Sequence, residues 1–459
     1  MTPSSTSTVR DLVIVVPGII GSELVSADGT PLWSLRPGTL PQAIRTMGRY
    51  LNQLTLPDDI KDGPASDGVR ATALLGKVHS VPGLWSPDVG YGGLMELLRS
   101  DRFNLVEATE NPLTAANLIE FPYDWRLSNR YNGKRLAKTA MDALNRWRQM
   151  PGMSEAKIIL VCHSMGGLVA RWFAEQEGGG AFIRALVTVG TPFRGSIKAL
   201  NALVNGLDPR LGPLHLPLSA FVRSLPSVYQ LLPQYNCIKT AAGRTDLLAA
   251  GASGLDIERL KDATLFHQQI AGDPAQTYTL HKVVGIRQPT PTTAQWNGAT
   301  LEMFDDIDGH QQGGDGTVPR LSAEPALGRG EEVHEAAFGH GALVRSRSLL
   351  DLVDGIITRE DIIWQAGPEK TAILSMADTW STTEEPILRV LNLEDKLLWV
   401  SIFNEQGQLV GERQTISDDG SFNLGLLPEG GYRAVVESEI DGEITPSTKP
   451  FVVFDSTAA

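Results

Sequence analysis

Hydrophobic positions along the chain follow two periodicities, one typical of buried strands and one typical of helices. Short apolar runs rich in β-branched residues predict core strands at 11–16, 158–161, 183–189 and 278–286, and a last strand is expected at 332–337. Between two of them, residues 133–148 place Leu136, Ala140 and Leu144 at the spacing of one helix face. The alternation of strand and helix predicts the α/β class, with a doubly wound, mostly parallel sheet.

The segment KIILVCHSMGGLVA at 157–170 carries the sharpest local pattern. Its strand stops abruptly at CHSMGG, and a helical pattern begins at Leu168. A serine at such a strand–turn–helix junction is typical of a nucleophile elbow, where neighbouring residues must be small. Gly166 meets that need, whereas Cys162 stands where the usual pattern has glycine. The context favours Ser164 as a nucleophile over a plain strand followed by a glycine turn.

The loop after the first strand, PGIIGSEL at 17–24, comes at the point where a hydrolase of this layout exposes backbone N–H groups. Such groups stabilise the oxyanion of a tetrahedral intermediate, and the N–H after the nucleophile, here Met165, is the second donor. A plain turn between strand and helix is the alternative.

The remaining pattern before residue 130 is less regular. It predicts a helix at 40–50, a short strand near 69–81, a helix at 92–99 and strands at 103–108 and 116–121. The last of these runs into PYDWR at 122–126. Residues of this kind either line a site at the strand ends or close the sheet edge with an ion pair, and the pattern favours neither.

A long leucine-rich insertion at about 198–277 separates the nucleophile from the later strands. It is longer than an ordinary connection between a helix and a strand. An apolar, proline-interrupted insertion at this point favours a helical cap that faces the substrate over a cap that packs only for stability.

A serine nucleophile needs a general base and a carboxylate that orients the base, and in this fold their chain order is Ser, acid, His. His340 follows the last predicted strand on a glycine-flanked loop and precedes a closing helix predicted at 342–357. His334 lies within the strand, and His310 precedes the best acid. The order therefore favours His340 as the base.

Asp315, in a glycine turn, is the favoured acid. The competing carboxylates are Asp305, Asp306 and Asp308. The stretch Asp306-Ile307-Asp308-Gly309 resembles the start of a calcium loop, but the later ligand positions and the closing Glu do not follow at the right spacing. The sequence thus predicts no metal and no cofactor.

Charge and cysteine usage narrow the function classes. The net charge of −13 argues against a nucleic-acid partner. Residues 370–459 alone carry fifteen acidic and six basic side chains. With only Cys162 and Cys237, neither a structural disulfide nor a thiol metal site is expected. The N-terminal residues show no signal peptide or membrane span, so a cytoplasmic location is expected.

The last ninety residues form a separate pattern. A polar stretch predicts a linker at 366–385, and short alternating runs with turn signals predict a small β-sandwich at 386–459 of immunoglobulin-like or transthyretin-like type. Tyr432, in LLPEGGY, is expected to close a corner of this sandwich. Docking to a protein partner and simple stabilisation are equally supported roles.

Seven motifs in fixed order carry a family resemblance. They are VVPGIIGSEL (15–24), PYDWR (122–126), HSMGG (163–167), GTPFRGS (190–196), YQLLP (229–233), GGDGTVP (313–319) and the GH pair that ends at His340. In these motifs the chain resembles the lecithin:cholesterol acyltransferase family of α/β-hydrolases, in a soluble bacterial-type form. The resemblance implies an α/β-hydrolase domain at 1–365, with Ser164 as nucleophile, Asp315 as acid and His340 as base. It also implies that the N–H groups of Ile19 and Met165 form the oxyanion hole.

The resemblance implies serine-dependent acyl transfer on lipid-like esters, by an O-acyltransferase, lipase or phospholipase. The animal members are secreted and disulfide-bonded, and this chain has no paired cysteines, which argues against lipoprotein action and a cholesterol acceptor. Nothing in the motifs decides between water and an alcohol as acceptor. The alternative is a non-catalytic binding protein on the same scaffold, with the C-terminal sandwich as its docking module.

Overall fold

The computed structural model describes residues 9–34, 53–75, 90–108, 114–206, 215–251, 254–271, 276–324, 331–360, 372–392, 397–404, 406–415, 420–438, 444 and 446–454. The strands are β1 (Leu12–Val16), β2 (Ser22–Val25), β3 (Pro31–Trp33), β4 (Arg70–Leu74), β5 (Leu118–Glu120), β6 (Ile158–His163), β7 (Ile183–Val189), β8 (Ile238–Thr240), β9 (Gly243–Thr245), β10 (Thr279–Gly285), β11 (Thr293–Asn297), β12 (Thr300–Phe304), β13 (Asp306–Ile307), β14 (His310–Gln311), β15 (Glu331–Ala336), β16 (Leu374–Ser375), β17 (Thr379–Ser381), β18 (Ile387–Val390), β19 (Leu398–Asn404), β20 (Leu409–Thr415), β21 (Ser421–Asn423), β22 (Gly430–Ser438) and β23 (Ser447–Phe454). The helices are α1 (Gly92–Leu98), α2 (Asn129–Trp147), α3 (Met165–Gln176), α4 (Ile197–Val204), α5 (His215–Ser224), α6 (Pro226–Tyr229), α7 (Ile257–Gln269), α8 (Arg320–Ala323) and α9 (Arg347–Thr358). No helix within these described ranges has the length and apolar character needed to cross a bilayer.

The central sheet consists of six parallel strands in the order β15-β10-β7-β6-β1-β5. This confirms the α/β class and the doubly wound parallel sheet. β1 pairs with β5 on one side and with β6 on the other, so the strand order reverses between β1 and β6. In open α/β sheets such a reversal opens a crevice at the C-terminal ends of the strands. The loop after β1 and Ser164 after β6 both lie at this crevice.

Helix α2 fills the crossover before β6, as the apolar spacing predicts. Its buried side chains include Leu136, Ala140 and Leu144. It begins earlier than the pattern suggests, because the Ser128 side chain accepts a hydrogen bond from the Tyr131 N–H (3.1 Å) and caps its N-terminus.

Four predicted elements differ from the structure or lie partly or wholly outside the described residues. The predicted strand at 103–108 is wrong: only Glu107 forms a bridge, to Leu118. The closing helix starts later than predicted, because Ser346 caps α9 through the Leu349 N–H (3.2 Å) and a 3₁₀ turn, Leu343–Arg345, precedes it. The predicted helix at 40–50 lies outside the described residues, as does the part of the predicted strand beyond residue 75.

The insertion at about 198–277 contains α4 to α7 and the β8–β9 hairpin. Its buried apolar side chains, among the described residues, lie in the same hydrophobic cluster as the central sheet. They include Leu203, Phe221, Val222, Leu225, Val228, Leu231 and Leu232. Packing for stability accounts for these side chains, and Leu207, Leu211 and Leu214 lie outside the described residues.

The C-terminal residues form two sheets, β16-β18-β21 and β17-β23-β22-β19-β20, around a second hydrophobic cluster. Leu388 and Phe422 from the first sheet meet Val400 and Phe451 from the second in this cluster. The Tyr432 hydroxyl donates to the Pro428 carbonyl (2.8 Å), as expected for a tyrosine that closes a corner. The stretch predicted as a linker contains β16 and β17, so part of it belongs to these sheets.

Strand β23 joins the two hydrophobic clusters through the alternation of its side chains. Phe451 and Val453 point into the C-terminal cluster, whereas Val452 and Phe454 belong to the cluster of the central sheet. The C-terminal sheets are therefore packed against the α/β body through apolar side chains.

The PYDWR segment closes the sheet with a buried ion pair. The Arg126 guanidinium donates to both carboxylate oxygens of Asp124 (2.9 and 2.7 Å) and to Asp67 (2.8 Å). The Arg126 side chain is fully buried, and that of Asp124 is 5% exposed. Of the two roles open from the sequence, the structure favours the closing ion pair.

Replacing this arginine tests the importance of the pair. Arg126→Leu leaves the buried Asp124 carboxylate without its main partner, so we expect a loss of about 3–5 kcal/mol in the free energy of unfolding, measured by urea denaturation. The matched control is Lys138→Met, which removes an exposed ion pair with Asp142 (2.7 Å) and is expected to change stability little. Equal effects of the two variants would contradict this account of the buried pair.

Candidate active site

Ser164 sits at the apex of a sharp turn between β6 and α3. Its backbone has φ 51° and ψ −125°, a conformation that L residues rarely adopt. A Cβ at position 166 would come within 2.3 Å of the Pro17 carbonyl oxygen, so only glycine fits there. Cys162, the departure from the usual pattern, is fully buried in β6. The geometry is that of the predicted elbow.

The three side chains named from the sequence as nucleophile, base and acid lie in one hydrogen-bonded chain. His340 Nε2 is 2.9 Å from Ser164 Oγ, and His340 Nδ1 is 2.7 Å from Asp315 Oδ2. Because the ionised carboxylate can only accept, Nδ1 carries the proton and Nε2 is free to accept the serine proton. All three residues are at most 2% exposed, which excludes bulk water from these contacts.

Asp315 is held in place by its own turn. Its Oδ1 accepts hydrogen bonds from the N–H groups of Thr317 (2.9 Å) and Val318 (2.7 Å), which leaves Oδ2 for the imidazole. Its carbonyl accepts from the His340 N–H (2.8 Å), so the acid and base loops are joined through the backbone as well.

The competing aspartates lie elsewhere and bind other side chains of the protein. Asp306 accepts from Lys239 Nζ (3.1 Å), and Asp308 forms an ion pair with Arg244 (3.2 Å). Asp305 accepts from the Gln311 side-chain amide (3.0 Å). These contacts engage the carboxylates that a calcium loop would need.

The other candidate histidines are separate from Ser164. His310 is exposed on β14, and His334 is buried in β15 beside His281. His163 directly precedes the nucleophile, but its ring nitrogens contact Tyr91 and the His340 carbonyl.

The loop after β1 lies directly against the nucleophile. A Cβ built on Gly18 would be 2.9 Å from Ser164 Cβ, so the backbone that leads to Ile19 passes within contact distance of the elbow. Met165 is the first residue of α3, and its N–H is among those at a helix start that have no intrahelical acceptor. Both predicted donors are thus near Ser164, and their role in an oxyanion hole stays a prediction.

A buried network that the sequence did not reveal connects these loops. The Gly18 N–H donates to Tyr91 Oη (2.8 Å), Tyr91 Oη lies 3.1 Å from His163 Nδ1, and His163 Nε2 lies 3.2 Å from the His340 carbonyl oxygen. Since a carbonyl only accepts, His163 carries its proton on Nε2, and Tyr91 donates to Nδ1. Burial lowers the pKa of His163 well below its usual range, which keeps this ring neutral.

Thr191 adds a further tether, since its hydroxyl donates to the Ser164 carbonyl (2.9 Å). The motif GTPFRGS at 190–196 contains this residue. No sequence pattern, however, predicts that a threonine hydroxyl will donate to a particular backbone carbonyl. Tyr91 likewise appears in the sequence only as a residue next to a predicted helix.

A cavity of about 700 Å³ lies between the Asp315 side of this site and the C-terminal sheets. Asp315 and Phe338 line it from the α/β body, and Met376, Asp378 and Lys449 line it from the C-terminal residues. Its volume falls in the range of small-molecule pockets.

Comparisons with known proteins agree with the motifs. The family model described as lecithin:cholesterol acyltransferase matches residues 109–272, a stretch that contains the elbow. The lysosomal phospholipase A and acyltransferase of Bos taurus is 30% identical over 220 residues, which cover 44% of this chain and 51% of the relative. The Homo sapiens protein of the same name is 29% identical over 219 residues, with the same coverage.

Over these residues the chain is similar to the lecithin:cholesterol acyltransferase family. The match spans about half the length of these curated relatives. Among solved structures, the mature form of the Bacillus licheniformis lipase BlEst2 is 12% identical, with a TM-score of 0.38, and the match covers 77% of this chain and 94% of the lipase.

Tyr91 gives a direct test of the network. Tyr91→Phe leaves the buried Gly18 N–H and His163 Nδ1 without their partner, at a cost of about 1–3 kcal/mol. If that cost falls on the transition state, kcat with an aryl ester falls about 5- to 150-fold while KM changes little.

The matched control is Tyr131→Phe, at a partly buried tyrosine on α2. Unchanged kcat in Tyr91→Phe, or an equal loss in the control, would contradict a positioning role for Tyr91.

Proposed function

We propose that this protein is a serine acyl hydrolase or O-acyltransferase that acts on lipid-like esters through an acyl-enzyme at Ser164. The observation that carries the proposal is the continuous hydrogen-bonded chain from Ser164 Oγ through His340 to Asp315 (2.9 and 2.7 Å). A free serine hydroxyl is a weak nucleophile, and a base already in contact with it removes that limitation.

The reaction follows from the donor and acceptor roles. Ser164 Oγ attacks the ester carbonyl while His340 Nε2 takes the serine proton, and Asp315 stabilises the imidazolium. The tetrahedral intermediate then collapses, and Nε2–H gives its proton to the departing alcohol or lysolipid. A second nucleophile loses its proton to Nε2 as it attacks the acyl carbonyl, and the proton returns to Ser164 Oγ when the acyl group leaves.

The N–H groups of Ile19 and Met165 are the proposed donors to the oxyanion. Their task is to stabilise negative charge on the former carbonyl oxygen, which is often the largest single contribution to catalysis. The contact of the Gly18 backbone with Ser164 supports Ile19 as the donor from the first loop.

The acyl acceptor decides between hydrolysis and transfer, because both pass through the same acyl-enzyme. The relatives are named as both phospholipase A and acyltransferase, which supports a phospholipid-type acyl donor here. A lipid panel with purified protein, run with and without a lipophilic alcohol and analysed by mass spectrometry, identifies the donor. New alcohol esters indicate transfer, and free fatty acids alone indicate hydrolysis.

An intact Ser–His–Asp geometry gives no support to the alternative of a non-catalytic binding protein. The cytoplasmic location and a protein partner for the acidic C-terminal residues remain predictions. Cell fractionation and affinity capture with the full chain would test them separately from the activity.

Labelling with a fluorophosphonate probe tests the nucleophile. We expect the wild-type protein to be labelled at Ser164, and Ser164→Ala to lose all labelling while it keeps its unfolding temperature. Ser154→Ala, which changes an exposed serine, is the control and should be labelled like the wild type. A folded wild-type protein that takes up no label would disprove the proposal.

Paired asparagine variants test the acid. Asp315→Asn removes the acceptor that fixes the His340 tautomer, and a change of this kind lowers kcat by about 10⁴-fold in a serine protease. Asp305→Asn, at one of the competing aspartates, should keep near wild-type kcat. Similar kcat values for both variants would show that Asp315 is not the acid.

A further inference from the structure

A cluster of metal-type ligands lies at the edge of the central sheet, away from Ser164. The parallel register of β10 and β15 sets His281 opposite Glu332 and Val283 opposite His334. Since side chains alternate between the faces of a strand, His281, Glu332 and His334 all lie on the same face of the sheet. Within the described residues, these three form the one group with the spacing of metal ligands.

The three donor atoms of this cluster form a compact triangle. His281 Nδ1 is 3.3 Å from His334 Nε2 and 3.1 Å from Glu332 Oε2, and His334 Nε2 is 3.7 Å from the same oxygen. Around Zn²⁺, with ligand distances near 2.0–2.2 Å, the edge of a tetrahedron is about 3.3 Å. The observed edges therefore suit three corners of a tetrahedral site.

Hydrogen bonds alone do not satisfy all three contacts. A neutral imidazole nitrogen carries either one proton or one lone pair, so a protonated His281 Nδ1 reaches both Glu332 and His334 only by sharing one proton between them, and the third contact, at 3.7 Å, is too long for a hydrogen bond. If it accepts from His334 instead, its lone pair faces the Glu332 carboxylate. A cation at the centre of the triangle would accept a lone pair from each atom.

The surroundings favour neutral imidazoles and a carboxylate within reach of solvent. The two histidine side chains are 7% and 9% exposed, whereas that of Glu332 is 54% exposed. Burial lowers the pKa of each histidine to about 4, and neutral imidazole is the metal-binding form. The positive charge of Arg184, which pairs with Asp11 (2.7 Å), also lowers the pKa of His281.

On the opposite face of the same strand pair, a carboxylate is paired with a lysine. There Lys282 Nζ lies 2.6 Å from Glu331 Oε2, so a lysine supplies the cation between β10 and β15. On the face of His281 and His334, two neutral rings stand beside one carboxylate.

We propose that His281, Glu332 and His334 bind a divalent transition-metal ion, with Zn²⁺ as the best fit, and leave a fourth position for water. Imidazole ligands select such ions over Mg²⁺ and Ca²⁺. The ion would join β10 to β15, the two strands that lead to the acid and base loops: Gln288, beyond β10, bridges to Asp315, and β15 leads to His340. This site departs from the expectation that the protein has no metal, and it does not depend on the proposed acyl chemistry.

Metal titration of the untagged full-length protein, stripped with a chelator and dialysed, tests the proposal. Calorimetry should show one Zn²⁺ per chain, Co²⁺ should give visible absorption typical of tetrahedral coordination, and Zn²⁺ should raise the unfolding temperature. Mg²⁺ and Ca²⁺ should have no effect. Glu332→Gln and His334→Gln should each weaken Zn²⁺ binding by more than about tenfold, since loss of even an outer-shell partner of a ligand costs about 10- to 100-fold in metal affinity.

Three control variants test whether Zn²⁺ binding depends on the three proposed ligands. Glu335→Gln changes a carboxylate of the same strand on its other face, where it pairs with Arg320, and His310→Gln removes an exposed histidine. Ser164→Ala tests whether the ion binds at the proposed active site instead. All three should bind Zn²⁺ like the wild type.

Absence of Zn²⁺ binding in the wild type would overturn the proposal. So would wild-type affinity in both Glu332→Gln and His334→Gln. Glu332→Gln changes a half-exposed side chain, so it tests binding even if His334→Gln does not fold.

Discussion

The hydrogen bonds from Ser164 through His340 to Asp315 depend on backbone segments that approach too closely for any side chain to fit between them. A Cβ at position 190 would lie 2.9 Å from Asp315 Oδ2 and 3.0 Å from His340 Nδ1, and this glycine has φ +57°. Together with Gly166 against the Pro17 carbonyl, this contact brings the ends of β1, β6 and β7 to one point. The strand order of the sheet reverses at that point, so the fold itself creates the crevice in which the site lies.

Buried polar groups then fix the loops around this point. One carboxylate oxygen of Asp315 accepts hydrogen bonds within its own turn, and the other contacts the His340 ring. His163 and Tyr91 connect the loop after β1 to the loop that carries His340. Inside a protein an unsatisfied polar group is costly, so a fully connected network of this kind favours a single arrangement. The C-terminal sheets extend the same body, because β23 contributes side chains to both hydrophobic clusters.

Local pattern and chain order were enough to predict the central sheet, the elbow and the three residues that meet at Ser164. Those features depend on periodicity, turn chemistry and motif order, all of which are local in sequence. Tyr91 and the His281–Glu332–His334 cluster were missed because strand register and loop approach bring distant residues together. The strand expected at 103–108 fails for a related reason: an apolar run becomes a strand only when a partner lies alongside over several residues, and here the backbone pairing is limited to residues 106–108.

The central claim is that an acyl group passes through Ser164. The most direct measurement is acid quenching of the protein during turnover of a long-chain aryl ester, followed by peptide mass analysis. Cleavage after Lys157 and Arg171 gives the peptide 158–171, which holds both Ser164 and Cys162, and fragmentation separates the two positions. The account predicts an acyl mass on Ser164 that disappears when the substrate is exhausted. Turnover with the acyl group on Cys162, on another residue, or on no residue would contradict it.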